Sequence, residues 1–163
     1  MPTKIAWTNE TWNPTAGCQA VSPGCANCYA AAMTRRLEAM GVADYAGLTN
    51  RRHFNGKVRT LPDKLDKPLH WKKPRRIFVN SMSDLFHKNV PFEFVDRVFA
   101  VMALCPQHTF QVLTKRPERA AAYFANGQAF PLPNTWLGTS CEDQDTADTR
   151  IPHLLRCPAA VRF

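Results

Sequence analysis

An α/β fold built from successive βα units is what this sequence predicts, and three observations carry it. Short runs rich in β-branched and aromatic residues alternate with stretches of helical period. Each run gives way at once to polar residues, and Pro and Gly fall at the joints. At 163 residues with 45% apolar side chains the chain is about one domain's worth, long enough to bury a core.

The elements follow in order. A short first strand is predicted over Lys4 to Thr8, then a long loop rich in Asn, Pro, Thr and Gly from Asn9 to Asn27. A helix over Cys28 to Met40 follows, with Asn27 as N-cap, Tyr29, Met33, Leu37 and Met40 on one face, and Gly41 as the stop. Arg76 to Val79 (RIFV) reads as a buried parallel strand that ends in polar Asn80 to Asp84. Phe94 to Cys105 repeats Val95, Val98, Phe99 and Met102 at helical spacing, with Pro91 before it and Pro106 after it. Thr109 to Leu113 (TFQVL) is the next strand, ending in Thr114, Lys115 and Arg116 before a helix opened by Pro117 and stopped by Gly127. Thr135 to Gly138 (TWLG) repeats the pattern, ending in Thr139 to Asp143 before a polar helix interrupted by Pro152. Ala160 to Phe163 (AVRF) begins another strand, and the chain stops inside that run, which predicts a fold truncated at its C-terminus.

Cys18 and Cys25 stand on the long loop and Cys28 opens the helix that follows it, with Tyr29 next. A closed structural zinc site takes four protein ligands and a disulfide framework an even number, whereas three thiolates hold a [4Fe–4S] cluster with one iron open. Cys105, Cys141 and Cys157 are dispersed and read as small apolar fillers. No apolar run reaches the roughly 18 residues of a membrane span, and the first ten residues lack the apolar centre of a signal peptide. A cytoplasmic protein with reduced thiols and no membrane partner is the expectation.

Charge is concentrated. Between Arg51 and Arg76 ten basic residues stand against Asp63 and Asp66, an excess equal to the whole chain's +8. Prolines at 62, 68 and 74 space these charges, so the segment reads either as a solvated connector or as a surface for a phosphate backbone, with His53, Phe54, His70 and Trp71 as stacking partners.

Parallel strands that feed helices bring their carboxyl ends to one rim, where barrels and open α/β enzymes place their sites. That rim would gather Ser81, Ser83, Asp84, Thr114, Lys115, Arg116, Thr139, Ser140, Glu142 and Asp143 beside the cysteine loop. Lys115 and Arg116 could hold a carboxylate or phosphate of a substrate, and Glu142 or Asp143 could accept ribose hydroxyls.

The cysteine loop after the first strand, the aromatic residue after the third cysteine and the repeated βα units resemble the radical S-adenosylmethionine enzymes. The usual spacing there is CxxxCxxC, and here six residues separate Cys18 from Cys25. A closer resemblance is to a phage-associated family of uncharacterised three-Cys-motif proteins (phage gp-like proteins). It rests on Ile5 to Thr8 (IAWT), Thr11 to Pro14 (TWNP), Gly17-Cys18, Ser22 to Cys25 (SPGC), Cys28 to Ala30 (CYA), Asn80 to His87 (NSMSDLFH), Thr114 to Pro117 (TKRP) and Trp136 to Gln144 (WLGTSCEDQ). The resemblance implies a partial (β/α) barrel of the radical S-adenosylmethionine type, forming one domain over residues 1–163. It further implies that Cys18, Cys25 and Cys28 ligate three irons while S-adenosylmethionine chelates the fourth, with a 5′-deoxyadenosyl radical abstracting a substrate hydrogen. Tyr29, Ser81, Ser83, Asp84, Ser140 and Glu142 would then contact that cofactor, although the glycine-rich GGE-type element common in the superfamily is absent. An electron donor and a genome-neighbour three-Cys-motif protein are the implied partners, in a bacterial or phage-infected cell.

Two other readings belong to different classes. One is a zinc-stabilised nucleic-acid-binding module using the three cysteines and a distant histidine such as His53. The other is a protein whose cysteines only clasp a loop within an assembly.

Overall fold

The computed structural model describes residues 3–127 and 131–163. At its centre is a five-stranded parallel sheet whose strands lie side by side in chain order. They are β1 (Glu10–Trp12), β2 (Arg76–Val79), β3 (Thr109–Thr114), β4 (Thr135–Thr139) and β5 (Val161–Arg162). Helices α1 (Tyr29–Ala39), α2 (Phe92–Ala103), α3 (Pro117–Ala125) and α4 (Gln144–Leu155) occupy the successive crossovers. The fold is therefore α/β, with each helix returning the chain to a strand beside the last.

Register explains which residues form the core. Val79 pairs with both Trp12 and Val112, and Val112 pairs in turn with Leu137. One face of the sheet thus carries Trp12, Ile77, Val79, Phe110, Val112 and Leu137, all buried. They join Val95, Val98, Phe99 and Met102 of α2, Ala120, Ala121 and Tyr123 of α3, and Leu154 of α4 in one cluster. Each such side chain taken from water contributes about 1.5–3 kcal/mol, so this layer is the main source of stability. The opposite face presents Thr11, Phe78, Gln111 and Trp136 in register, and Trp7 lies against Phe78 with ring centroids 4.7 Å apart.

Three expectations are corrected. The first strand is Glu10–Trp12 and not Lys4 to Thr8. Ladder pairing is set up by Asn9, which donates its N–H to the Arg76 carbonyl and accepts the Arg76 N–H on its side chain, so the apolar run before it packs from the side. In α1 the N-cap is Cys28 and not Asn27, and the buried face is Ala30, Ala31 and Thr34. Tyr29, Met33 and Met40 are exposed, because small residues let the helix lie close to a second cluster of Ala16, Tyr45, Leu48, Leu61 and Met82. Pro152 does not interrupt α4. A capping box between Asp143 and Thr146 fixes the start, and the proline removes one main-chain bond without ending the helix. His108, at the bend just before β3, is buried with Nε2 3.2 Å from the Pro68 carbonyl.

The basic segment is folded, not a bare connector. Arg59–Thr60 pairs antiparallel with Thr15–Ala16, and His53–Phe54 with Thr49–Asn50. Lys64 pairs with Asp44 and Arg75 with Glu10, while Arg51, Arg52, Lys57, Lys72, Lys73 and Arg76 stay exposed.

Candidate functional site

The loop from Gly17 to Cys28 carries the three cysteines and has one turn of 3₁₀ helix, Pro23–Cys25, none of whose residues is buried. Its entry depends on Gly17, whose φ of 89° suits glycine. A Cβ there would also overlap the Lys57 carbonyl oxygen. Gly17 forms a parallel bridge with Ser83, which joins the loop to the chain beyond β2. The exit is α1, with Cys28 in its N-cap position and no side-chain cap on the first turn. The free N–H groups there and the positive end of the helix dipole favour a negative charge beside Cys28.

All three cysteines line a single cavity of about 160 Å³ at the carboxyl ends of β2, β3 and β4. Tyr29, Ser81, Ser83, Asp84, Lys115, Arg116 and Ser140 line it too, with Phe78 and Leu113 as an apolar wall. Glu142 reaches the same rim, accepting from Ser22 Oγ at 2.9 Å and from Lys115. The residues singled out in the sequence are thus brought together, though several of them bind one another.

Asp84 is the hub. Its Oδ1 accepts from Phe86 N at 3.0 Å and Thr114 Oγ1 at 2.7 Å, and its Oδ2 from Lys115 N at 3.1 Å and Arg116 Nη1 at 2.9 Å. Asp84 and Arg116 are only 5% and 7% exposed, so this is a buried ion pair. The Arg116 fork also donates to Cys18 Sγ at 3.7 Å and to the Gln19 carbonyl at 2.7 Å. Burial pushes the Cys18 thiol's pKa up, against the pull of the Arg116 charge. At Cys25 burial is outweighed by backbone hydrogen bonding from Val21 and Ser22 and by Lys115, whose Nζ lies 3.9 Å from Sγ, and the pKa is lowered.

Glu142 fastens the loop on the other side. Its Oε2 accepts from Arg150 Nη1 at 2.8 Å. Burial works to raise its pKa, but hydrogen bonds from Lys115 and Ser22 and the charges of Lys115 and Arg150 bring it down to about 2. Gly24 lies so close that a Cβ would overlap the Glu142 side chain. Tyr29, 58% exposed, spans the mouth and donates its hydroxyl to the Ser81 carbonyl at 2.6 Å. The Ser83 hydroxyl lies 2.8 Å from that of Thr15, and Ser81 bonds Asn13 at 3.2 Å. Ser140 opens on the cavity from the end of β4.

Among the lining residues that the sequence reading did not mark as site residues, the buried polar one is Asn80. Asn80, 2% exposed, holds φ at 60° and donates to Thr15 Oγ1 at 2.9 Å, while its Oδ1 is buried without a partner among the described residues. An asparagine directly after the RIFV strand was the signal available, since Asn is enriched in the left-handed region. Cys105 and Cys157 are buried free thiols, and Cys141 is exposed. No three His, Cys, Asp or Glu among the described residues converge as ligands of one ion. A four-iron cluster gives each thiolate its own iron, so its ligands need not converge on one ion. No helix among the described residues is long and apolar enough to cross a membrane.

No curated protein and no solved structure matches the chain. One family model, described as protein of unknown function (DUF5131), matches residues 2–163, and the chain belongs to that family.

Proposed function

We propose that the protein is a radical S-adenosylmethionine-type enzyme that holds a [4Fe–4S] cluster on Cys18, Cys25 and Cys28 and acts on a nucleic acid or nucleotide. The observation that carries this reading is that three free thiols from one loop open on a single cavity with the carboxyl ends of three parallel strands. Strand order without reversal supports taking residues 1–163 as one domain, a partial (β/α) barrel. When bound, the cluster would supply one electron for cleaving the sulfonium C–S bond of S-adenosylmethionine.

The chain's own residues fit an anionic cluster. Arg116 and Lys115 bring cationic donors to Cys18 and Cys25, and the uncapped start of α1 offers N–H groups beside Cys28. Asn80 Oδ1 offers a buried acceptor for an N–H of a cofactor or substrate. Phe78 and Leu113 give the cavity an apolar wall that limits water near a reactive intermediate. Exposed Arg51, Arg52, Lys72 and Lys73 support a phosphate-bearing substrate. An external electron donor, a three-Cys-motif partner and a cytoplasmic setting in a bacterial or phage-infected cell belong to the same reading.

The test is anaerobic iron–sulfur reconstitution followed by electron paramagnetic resonance of the reduced protein, with and without S-adenosylmethionine, beside Cys25→Ala. A [4Fe–4S] signal that shifts with S-adenosylmethionine and is lost in the variant is the expected result. Stoichiometric zinc with no cluster sinks the radical reading and leaves the zinc-stabilised nucleic-acid-binding module. Neither metal nor cluster leaves a structural clasp.

A further inference from the structure

Arg116 Nη1 reaches both a candidate ligand, Cys18 Sγ at 3.7 Å, and a buried acid, Asp84 Oδ2 at 2.9 Å. Nη2 fixes the next residue of the loop through the Gln19 carbonyl at 2.7 Å. Asp84 already accepts from Phe86 N, Thr114 Oγ1 and Lys115 N, so its carboxylate is well solvated by the protein before Arg116 is counted. A buried ion pair is by itself weak evidence for stability. What this pair does deliver is a rigid N–H donor aimed at one sulfur.

We propose, resting on the cluster reading above, that Arg116 is a positioning residue that raises the reduction potential of the cluster through its hydrogen bond to Cys18. An N–H···S bond draws electron density from the thiolate and stabilises the more negative, reduced state, one of the levers by which proteins tune such clusters. Asp84 offsets the net charge of Arg116 but leaves the donor in place, because a second hydrogen of Nη1 serves the acid. Lys115 stands in a weaker position toward Cys25. Its Nζ is 3.9 Å from Sγ, its ammonium lacks a fixed fork, and it pairs with Glu142 at the more open rim. The two cations therefore differ in effect, and Arg116 dominates.

The experiment is redox potentiometry of the reconstituted full chain, followed by electron paramagnetic resonance, on wild type, Arg116→Lys, Lys115→Gln and the double variant Asp84→Asn/Arg116→Gln. The double variant removes both buried charges, so it folds without leaving either unpaired. Resonance Raman of the iron–thiolate stretches supplies a second readout that does not depend on turnover. The expected result is a midpoint lowered in Arg116→Lys and lowered most in the double variant. There the reduced-to-oxidised ratio at fixed potential falls about tenfold, or about 59 mV for one electron. Lys115→Gln moves it less, and an iron–thiolate band shifts upward only where Arg116 is changed. A cluster of normal content whose midpoint and bands are the same in all four proteins overturns this assignment alone. A wild-type chain that takes up no cluster overturns the proposed function and the assignment with it.

Discussion

Replacing Asp84 with asparagine is expected to destabilise the metal-free protein by about 3–5 kcal/mol, the cost of leaving one member of a buried pair without its partner. The carboxylate accepts four hydrogen bonds, two on each oxygen. An amide keeps one acceptor oxygen and turns two N–H donors toward the other pair of donors. In one orientation it abandons Lys115 N and Arg116, in the other Phe86 N and Thr114 Oγ1. For a chain of this size a loss of 1 kcal/mol lowers Tm by about 2–4 °C, so the expected drop is roughly 6–20 °C. Circular dichroism melts and urea midpoints, taken together, measure it. Adding Arg116→Gln to Asp84→Asn should recover most of the loss, because the stranded guanidinium is then gone, and the double-mutant cycle gives a large coupling. A single variant that melts within about 2 °C of wild type would refute the argument that this pair is buried and mutually dependent.

Glu142 makes stability depend on acid. Its folded pKa of about 2 lies below the 4.5 of an unperturbed glutamate, so its contribution is full above pH 4.5 and lost as pH falls toward 2. Screening at the partly open rim reduces that contribution to about 1–2 kcal/mol. Wild type should thus lose more stability than Glu142→Gln across that window, and parallel acid limbs would rule it out. In the metal-free protein Cys25, with its lowered pKa, should be alkylated by iodoacetamide well before Cys18, whose pKa is raised. Lys115→Gln should slow Cys25 and leave Cys18 unchanged, as mass spectrometry of the labelled peptides would report. Gly24→Ala should cost about 1–3 kcal/mol by pushing Glu142 off Ser22 and Lys115. The same change in a Glu142→Ala background should cost little, and an equal loss in both backgrounds would show that the contact with Glu142 is not the cause.

The later strands were legible because each is long enough, or apolar enough, to declare itself. RIFV, TFQVL and TWLG fall within a residue of β2, β3 and β4, and the Val95, Val98, Phe99, Met102 spacing marks the buried side of α2. The first strand was not, since three residues, one of them Glu10, show no alternation. Its place is set by a partner 67 residues away, a tertiary fact that Asn9 and Arg76 do not announce in the sequence. The buried face of α1 misled for a different reason. Periodicity weights large apolar residues, whereas this helix approaches its neighbours through Ala30, Ala31 and Thr34 and leaves Met33 and Met40 outside.

The candidate site was legible as a location, because parallel strands carry whatever follows them to one rim. What each residue does there was not. Read one by one, Asp84, Arg116, Lys115 and Glu142 look like groups waiting for a ligand. In the fold they hold the cysteine loop, which buries none of its 3₁₀ turn and so has little apolar packing of its own. Arg116 ties Cys18 and Gln19 to β3, Glu142 ties Ser22 to the β4 end, and Tyr29 ties the start of α1 to the β2 end. A loop fastened by directional bonds to three different strands is held in place without filling the space that its cysteines line. A site that must receive a bulky group needs that arrangement, since apolar packing tight enough to order the loop would also close the cavity. The groups left over, Asn80 Oδ1 above all, are then the ones with capacity for something that arrives from outside.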